Sequence, residues 1–399
     1  MLSERPHAAS PASLEEFVAE RLRARGPLVC DFFAREAARL TAAAAAMAER
    51  FEQGGRLLAF GRGPYATDAA HLSVEFVHPV IVGKRALPGI DASSAVEPML
   101  AMLARPGDIA IGLGPPAGDA VISRALEFAR ERGLLTIALP GTEGDADFAF
   151  AAPAADVHIH QELFEILGHT LYESVHVFLE QRAHESGGGA AAFLYPFLDA
   201  ARAPVDRAAV ATSIVAKAAD GDALRERVAA RQSGALAAAA VAMAERIARG
   251  GRILTFGNGG SATDAADFAL DCLEAGGCRA IPALSLATEP AVLTAIGNDV
   301  GFDLIFVRQL IAQSKPDDVA FAFSTSGGSK NVVAALGEAR ARGLLCVALL
   351  GYDGGEIARR GLADHTLVVE SDYIPRIQET QAAIYHVLRQ ALELLRHEP

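Results

Sequence analysis

The tightest constraint on this chain is that it repeats itself. Residues 54–70 read GGRLLAFGRGPYATDAA and residues 250–266 read GGRILTFGNGGSATDAA, identical at 12 of 17 positions with an offset of 196. AMAER precedes both copies, at 46–50 and 242–246, and RGLLTIAL at 132–139 returns as RGLLCVAL at 342–349. Whatever unit one copy folds into, the chain builds twice. The offset has grown to 210 by the second pair of strings, so the later copy carries 14 further residues (210 less 196), which fall near 286–302.

Each copy alternates short apolar, β-rich runs with longer helical stretches. The expected strands are 56–60, 108–113 and 134–139 in the first copy, and 252–256, 318–323, 344–350 and 365–370 in the second. Strand, helix, strand at this spacing predicts an α/β fold, with a central parallel sheet between helical layers in each copy. The Gly/Ala-rich ESGGGAAA at 185–192 places a linker at 184–205, between domains at 14–183 and 206–399.

Composition narrows the functional classes. Hydrophobic residues make up 51% of the 399, which excludes disorder as the main state. Against 36 Lys and Arg stand 49 Asp and Glu, a net charge of -13, and neither a general nucleic-acid binder nor a protein of anionic membrane surfaces carries that balance. The opening MLSERPHAAS lacks the apolar core of a secretory signal, and no uncharged apolar run approaches the ~20 residues that span a bilayer. Cys30, Cys272, Cys278 and Cys346 form no CxxC pair, and a chain this long needs no disulfide staple, so a reduced cytoplasm is the expected location.

Both copies place a glycine turn between a strand and a helix, GRGPYA at 61–66 and GNGGSA at 257–262. Each fits GxGxxA, the shape of a dinucleotide-binding turn, but equally that of any tight strand-to-helix connection. The second copy adds Ser324-Thr325-Ser326-Gly327-Gly328-Ser329 after a strand and before a helix. Hydroxyls and free N–H groups at a helix N-terminus make an anion cradle that holds a phosphate monoester without a lysine. An ordinary N-cap would explain Ser329 and leave the other serines unexplained. In the first copy Gly114-Pro115-Pro116-Ala117-Gly118-Asp119 replaces that loop, and Pro64 and Tyr65 replace Gly260 and Ser261. The hydroxyls are gone and Asp119 repels a phosphate, so the first copy has lost its own phosphate site.

GNGGSATDA, AIGNDVGF, STSGGS and the late RIQE...H pattern together resemble the phosphoheptose (sedoheptulose 7-phosphate) isomerases, a branch of the sugar isomerase (SIS) domain superfamily. The resemblance covers 206–399 and is weaker in the phosphate loops of 14–183. It implies two tandem SIS domains, each a three-layer α/β/α sandwich, with a sugar phosphate on the serine loop and zinc-containing active sites at subunit interfaces. It also implies sugar contacts for Asn258, Gly259, Ser261, Asn298 and Asp299 beside Ser324, Thr325, Ser326 and Ser329. A helical His-xxx-Glu element and a late Gln with His eight residues on are the family's metal-type positions. The first copy matches all four as His71, Glu75, Gln161 and His169, and spacings of four and eight put each pair on one helical face. Imidazole, carboxylate and amide oxygen suit Zn²⁺. The second copy keeps Gln378 and His386 but has Asp267 and Asp271 in place of His71 and Glu75. The shorter Asp271 stands about 1.5 Å back, which makes Asp267, Asp271, Gln378 and His386 a poorer set for zinc and a possible one for a harder ion.

These losses are complementary, and they predict a pseudo-dimer of halves. One composite site would take Ser261, Ser324, Ser326 and Ser329 from the second copy with His71, Glu75, Gln161 and His169 from the first. The resemblance implies an aldose–ketose isomerase converting sedoheptulose 7-phosphate to a glycero-manno-heptose 7-phosphate through a zinc-assisted enediolate. Glu75 is then the base or a ligand sharing that role, and His169 the acid partner or a ligand. A non-catalytic sugar-phosphate binder is the main rival. A dinucleotide oxidoreductase explains the GxGxxA turns but not STSGGS, and no nucleotide cofactor is expected. The expected partner is a small sugar phosphate, and the expected assembly a homodimer supplying four SIS domains.

Overall fold

The computed structural model describes residues 11–79, 84–142, 144–185, 206–273 and 280–396. Two 42-residue helices, α1 (Pro11–Glu52) and α6 (Arg207–Ala248), each lead into a repeat. The first repeat continues as β1 (Leu57–Phe60), α2 (Tyr65–Val77), β2 (Gly89–Asp91), α3 (Val96–Leu103), β3 (Ile109–Leu113), α4 (Ala120–Glu131), β4 (Leu135–Leu139), β5 (Phe148–Ala149) and α5 (Val157–Glu185). The second continues as β6 (Ile253–Phe256), α7 (Gly260–Leu273), β7 (Ala283–Ser285), α8 (Pro290–Asp299), α9 (Ile305–Gln313), β8 (Val319–Ser324), α10 (Lys330–Ala341), β9 (Leu345–Gly351), α11 (Gly355–Arg359), β10 (His365–Val369) and α12 (Ile374–Arg396).

Each repeat builds one five-stranded sheet. The order is β2-β1-β3-β4-β5 in the first and β7-β6-β8-β9-β10 in the second, and every pairing is parallel. The inner strands are buried along their whole length because helices cover both faces. This is the expected two-domain α/β architecture. The two sheets share one strand order, so the duplication seen in the sequence extends to the topology. The additional residues of the second copy include the 10-residue α8, which has no counterpart before α3.

Two packing units divide the chain, Pro27–Asp220 and Met1–Gly26 with Gly221–Pro399. The cuts fall inside α1 and α6. Leu14, Val18 and Leu22, at the start of α1, belong to the core around β6, β8 and β9 of one unit. Val210, Ile214 and Ala218, at the start of α6, belong to the core around β1, β3 and β4 of the other. The duplication boundaries 14–183 and 206–399 and the packing boundaries therefore differ by the opening turns of one helix each. Of the expected linker, 184 and 185 end α5, and 186–205 lie outside the described residues. Among the described residues no helix is long and apolar enough to cross a membrane.

Candidate functional site

The serine loop hangs from the C-terminal end of β8, where strand ends in a parallel sheet open a crevice. Ser324 is the last strand residue and is buried; its Oγ accepts the Gly327 N–H at 3.1 Å. Ser326 Oγ accepts the Gly328 N–H at 3.2 Å. Each hydroxyl oxygen is thus oriented by the backbone, which leaves its O–H to donate toward a ligand. Ser329 precedes α10 in extended conformation and its side chain makes no cap hydrogen bond, so the ordinary N-cap is not its role here. Gly327 is held at φ +60°, and a Cβ there would lie 2.1 Å from the Gly354 carbonyl oxygen. Only glycine fits that crossing.

A residue the sequence reading passed over ties this loop to the glycine turn. Asn331 is buried, and its side-chain amide exchanges two hydrogen bonds with that of Asn258, at 2.9 and 2.8 Å. The signal available in sequence was an amide two residues past Ser329, where a helix opening would otherwise present an apolar or solvated residue. Gly259 stands at φ +56°, and Ser261 is buried at the second residue of α7. Thr325 is half-buried. Asn298 and Asp299 are exposed at the end of α8 and hydrogen-bonded to each other at 2.9 Å. The outer side of the loop borders an open cleft of about 720 Å³ lined by Ser326, Tyr352, Asp353, Arg359, Glu370 and Asp372.

The equivalent place in the first repeat is filled from within. Asp119 caps α4, its Oδ1 accepting the N–H groups of Val121 at 2.7 Å and Ile122 at 3.3 Å. Its Oδ2 accepts from Arg62 Nη1 at 2.9 Å. A carboxylate of the chain thus satisfies the helix N-terminus that a bound phosphate would otherwise occupy. Beneath it His160 is fully buried, its Nε2 3.0 Å from the Gly114 carbonyl, and burial pushes its pKa down to about 4.

One buried group of side chains stands on the helix behind each glycine turn. In the first repeat α2 presents His71 and Glu75 on consecutive turns, with His71 Nε2 3.8 Å from Glu75 Oε1. His169 comes from α5, its ring centroid 5.7 Å from that of His71. One donor atom from each of these three residues lies within 4.8 Å of the others, and all three residues are buried. Glu75 Oε2 is buried and takes no hydrogen bond from the described residues. Two imidazoles, a carboxylate and an orphaned carboxylate oxygen fit a zinc-type ion. Gln161 is buried two turns before His169 on α5.

In the second repeat α7 supplies Asp267 and Asp271, and α12 supplies His386. His386 Nε2 is 3.1 Å from Asp271 Oδ2 and 3.5 Å from Asp267 Oδ2. Tyr385 donates its hydroxyl to Asp267 Oδ2 at 2.7 Å, and Arg389 Nε donates to the Asp271 carbonyl at 3.2 Å. Burial, reinforced by the Asp267 charge and opposed by His386, pushes the Asp271 carboxyl up to about 6. Gln378, two turns before His386, is buried with its amide oxygen unbonded. The shorter aspartates still bring their oxygens up to the imidazole, so the group closes despite the missing methylene.

Comparison with known proteins agrees with this architecture. Residues 218–351 match the family model described as SIS domain. The chain is 45% identical over 166 residues to phosphoheptose isomerase from Geobacter sulfurreducens, covering 40% of this chain and 85% of that protein. It is 46% identical over 153 residues to phosphoheptose isomerase from Solidesulfovibrio magneticus, covering 38% of this chain and 74% of that one. Among solved structures, the C-terminal domain of glucosamine-fructose-6-phosphate aminotransferase from Francisella tularensis superposes with a TM-score of 0.54 at 12% identity, over 92% of this chain and 96% of that one. That last likeness concerns the fold, and it spans both repeats. With two isomerase relatives matched over most of their own lengths, this chain belongs to the phosphoheptose isomerase family of SIS-domain proteins.

Proposed function

We propose that the chain is an aldose–ketose isomerase acting on sedoheptulose 7-phosphate, giving a glycero-manno-heptose 7-phosphate. The observation that carries this reading is the intact serine loop, with two hydroxyls oriented by backbone N–H groups and the Asn258–Asn331 pair fixing it to the glycine turn. In this reading Ser324, Thr325, Ser326 and Ser329 anchor the far phosphate, with Gly259 and Ser261 at its edge, while Asn258, Asn298 and Asp299 serve the sugar.

Isomerisation moves a proton between adjacent carbons through an enediolate, so a base and an acid are needed near C1 and C2. Glu75 takes the role of base or shares it with that of metal ligand, and His169 that of acid partner or ligand. His71, Glu75, Gln161 and His169 would hold a zinc ion, which supplies Lewis acidity toward the substrate's oxygens when bound. Burial of all four keeps water from competing for the proton. We place the protein in the cytoplasm as a homodimer.

Purified protein incubated with sedoheptulose 7-phosphate tests the reading, with added zinc, with chelator, and with His169→Ala. Zinc-dependent formation of aldoheptose phosphate, lost in the variant, is the expected result. Saturable binding without turnover would overturn it in favour of a non-catalytic sugar-phosphate binder.

A further inference from the structure

The serine loop does not hold its shape alone. A second loop, residues 351–355 at the junction of β9 and α11, runs directly behind it, backbone against backbone. A Cβ on Gly351 would lie 2.6 Å from the Thr325 carbonyl oxygen, and one on Gly355 would lie 2.2 Å from that of Ser326. From the other side, a Cβ on Gly327 would lie 2.1 Å from the Gly354 carbonyl oxygen. No Cβ fits at any of these three places, so Thr325, Ser326 and Gly327 are each located by contact with the segment behind them. A hydrogen bond from the Ile357 N–H to the Gly327 carbonyl, 3.0 Å long, fastens the crossing.

The segment behind is itself tied down. The Gly354 N–H donates to the Gly351 carbonyl at 2.9 Å, closing a turn that holds Tyr352 at φ +50°, where a residue with a Cβ is uncommon. Asp353 Oδ1 accepts the Gly355 N–H at 2.9 Å, and its Oδ2 accepts from Arg359 Nη1 at 3.3 Å.

The first repeat lacks this arrangement, and its sequence shows why. At the offset of 210 that relates RGLLTIAL to RGLLCVAL, Gly327 corresponds to Ala117 and Gly355 to Asp145. Two positions that only glycine can occupy in the second repeat carry side chains in the first. The Asp145 Oδ2 accepts the Thr142 N–H at 2.7 Å and the Thr142 hydroxyl at 2.8 Å. A Cβ on Gly141, the counterpart of Gly351, would meet the side chains of Ala138 and Ala149 and no carbonyl of the 114–119 loop. The crossing and the hydroxyls are kept together in one repeat and lost together in the other.

We propose that residues 351–355 are a positioning element of the phosphate site, a backbone clasp that presets the loop of residues 324–329 for the anion, with Gly355 as its principal positioning residue. The proposal rests on the reading of the serine loop as a phosphate anchor. A loop ordered beforehand spares binding the entropy of ordering it, so loosening the clasp lowers anion affinity without altering any group that touches the anion.

Inorganic phosphate is the probe, titrated by calorimetry into full-length proteins whose fold is checked by circular dichroism, so the outcome does not depend on turnover. Gly355→Ala should weaken phosphate binding at least tenfold. Gly361→Ala is the control: its backbone is as left-handed as that of Gly355, φ +57° against +58°, but nothing lies within 4 Å of its Cβ. It carries the strain without touching the serine loop and should bind phosphate within twofold of wild type. Gly351→Ala, which presses on the Thr325 carbonyl without left-handed strain, replaces Gly355→Ala if that variant fails to fold. Wild-type affinity in both Gly355→Ala and Gly351→Ala, or an equal loss in Gly361→Ala, overturns the clasp and leaves the phosphate anchor standing. Phosphate binding that is absent from the wild type, or indifferent to Ser326→Ala, overturns both.

Discussion

Asn331→Ala separates the glycine turn from the serine loop without touching a residue of either motif. It deletes the two hydrogen bonds to Asn258, of 2.9 and 2.8 Å, with the one that Asn331 Oδ1 accepts from the solvent-replaceable Val332 N–H at 2.9 Å, and strands the half-buried amide of Asn258. At ~1 kcal/mol for each bond, with a further cost for the unsatisfied partner, the loss is about 2–3 kcal/mol. Asn258→Ala removes the same two bonds from the other side and should cost about as much. The double variant loses the same two bonds and strands nothing, so its loss should fall short of the sum by about 2–4 kcal/mol, the coupling energy of the pair. In a unit of this size each kcal/mol moves the melting temperature by about 2–4 °C, which puts each single variant about 5–10 °C down. Differential scanning calorimetry of the wild type, both singles and the double measures all four corners. The stabilisation conferred by saturating sugar phosphate should shrink in every variant, because the loop is no longer fixed to the turn. Strictly additive losses, or singles melting within 1 °C of wild type, would refute the claim that this pair fastens the site.

Two further outcomes follow from the geometry already described. The folded protein holds His160 at about 4 while the unfolded chain returns it to 6.5, so on acidification the unfolded state takes up that proton first. Stability should therefore be full above pH 6.5 and fall by roughly 3 kcal/mol as the pH drops to about 4. Urea midpoints measured across that range should show the slope, and His160→Gln should flatten it. Gly327→Ala places a methyl 2.1 Å from a backbone oxygen at φ +60° and must move the loop. We expect a destabilisation of at least about 2 kcal/mol and a tenfold or greater loss of phosphate affinity by titration calorimetry, with no such penalty for Gly328→Ala, whose nearest neighbours lie at 3.9 Å or beyond.

The sheet cores were legible because long buried strands write themselves as apolar runs. β1, β3, β4, β6, β8, β9 and β10 all begin within one residue of the runs that announced them. The edge strands β2, β5 and β7 are two or three residues long, too short to carry a period, and the sequence does not reveal them. The opening turns of α1 and α6 were not assigned in sequence to either sheet, because an apolar stripe does not say which sheet it will cover. In the site, the run of hydroxyls pointed to the serine loop, while the positions of the two donor groups came from the resemblance to a known family, with which the helical spacings agree. Asn331 escaped because one amide has no pattern, and the Arg62–Asp119 pair escaped because its partners lie 57 residues apart.

The opening turns of the long helices also bear on how the chain can evolve. A gene cut between the repeats would deprive the second of Leu14, Val18 and Leu22, three buried side chains together contributing about 6 kcal/mol. That is comparable to the whole stability margin of an ordinary domain. The first would likewise forfeit Val210, Ile214 and Ala218. Either copy on its own would lose that share of its core, so selection for stability acts on the pair. Under that condition a motif lost from one copy need not be restored where it arose, and the two sequences are free to drift into unlike roles.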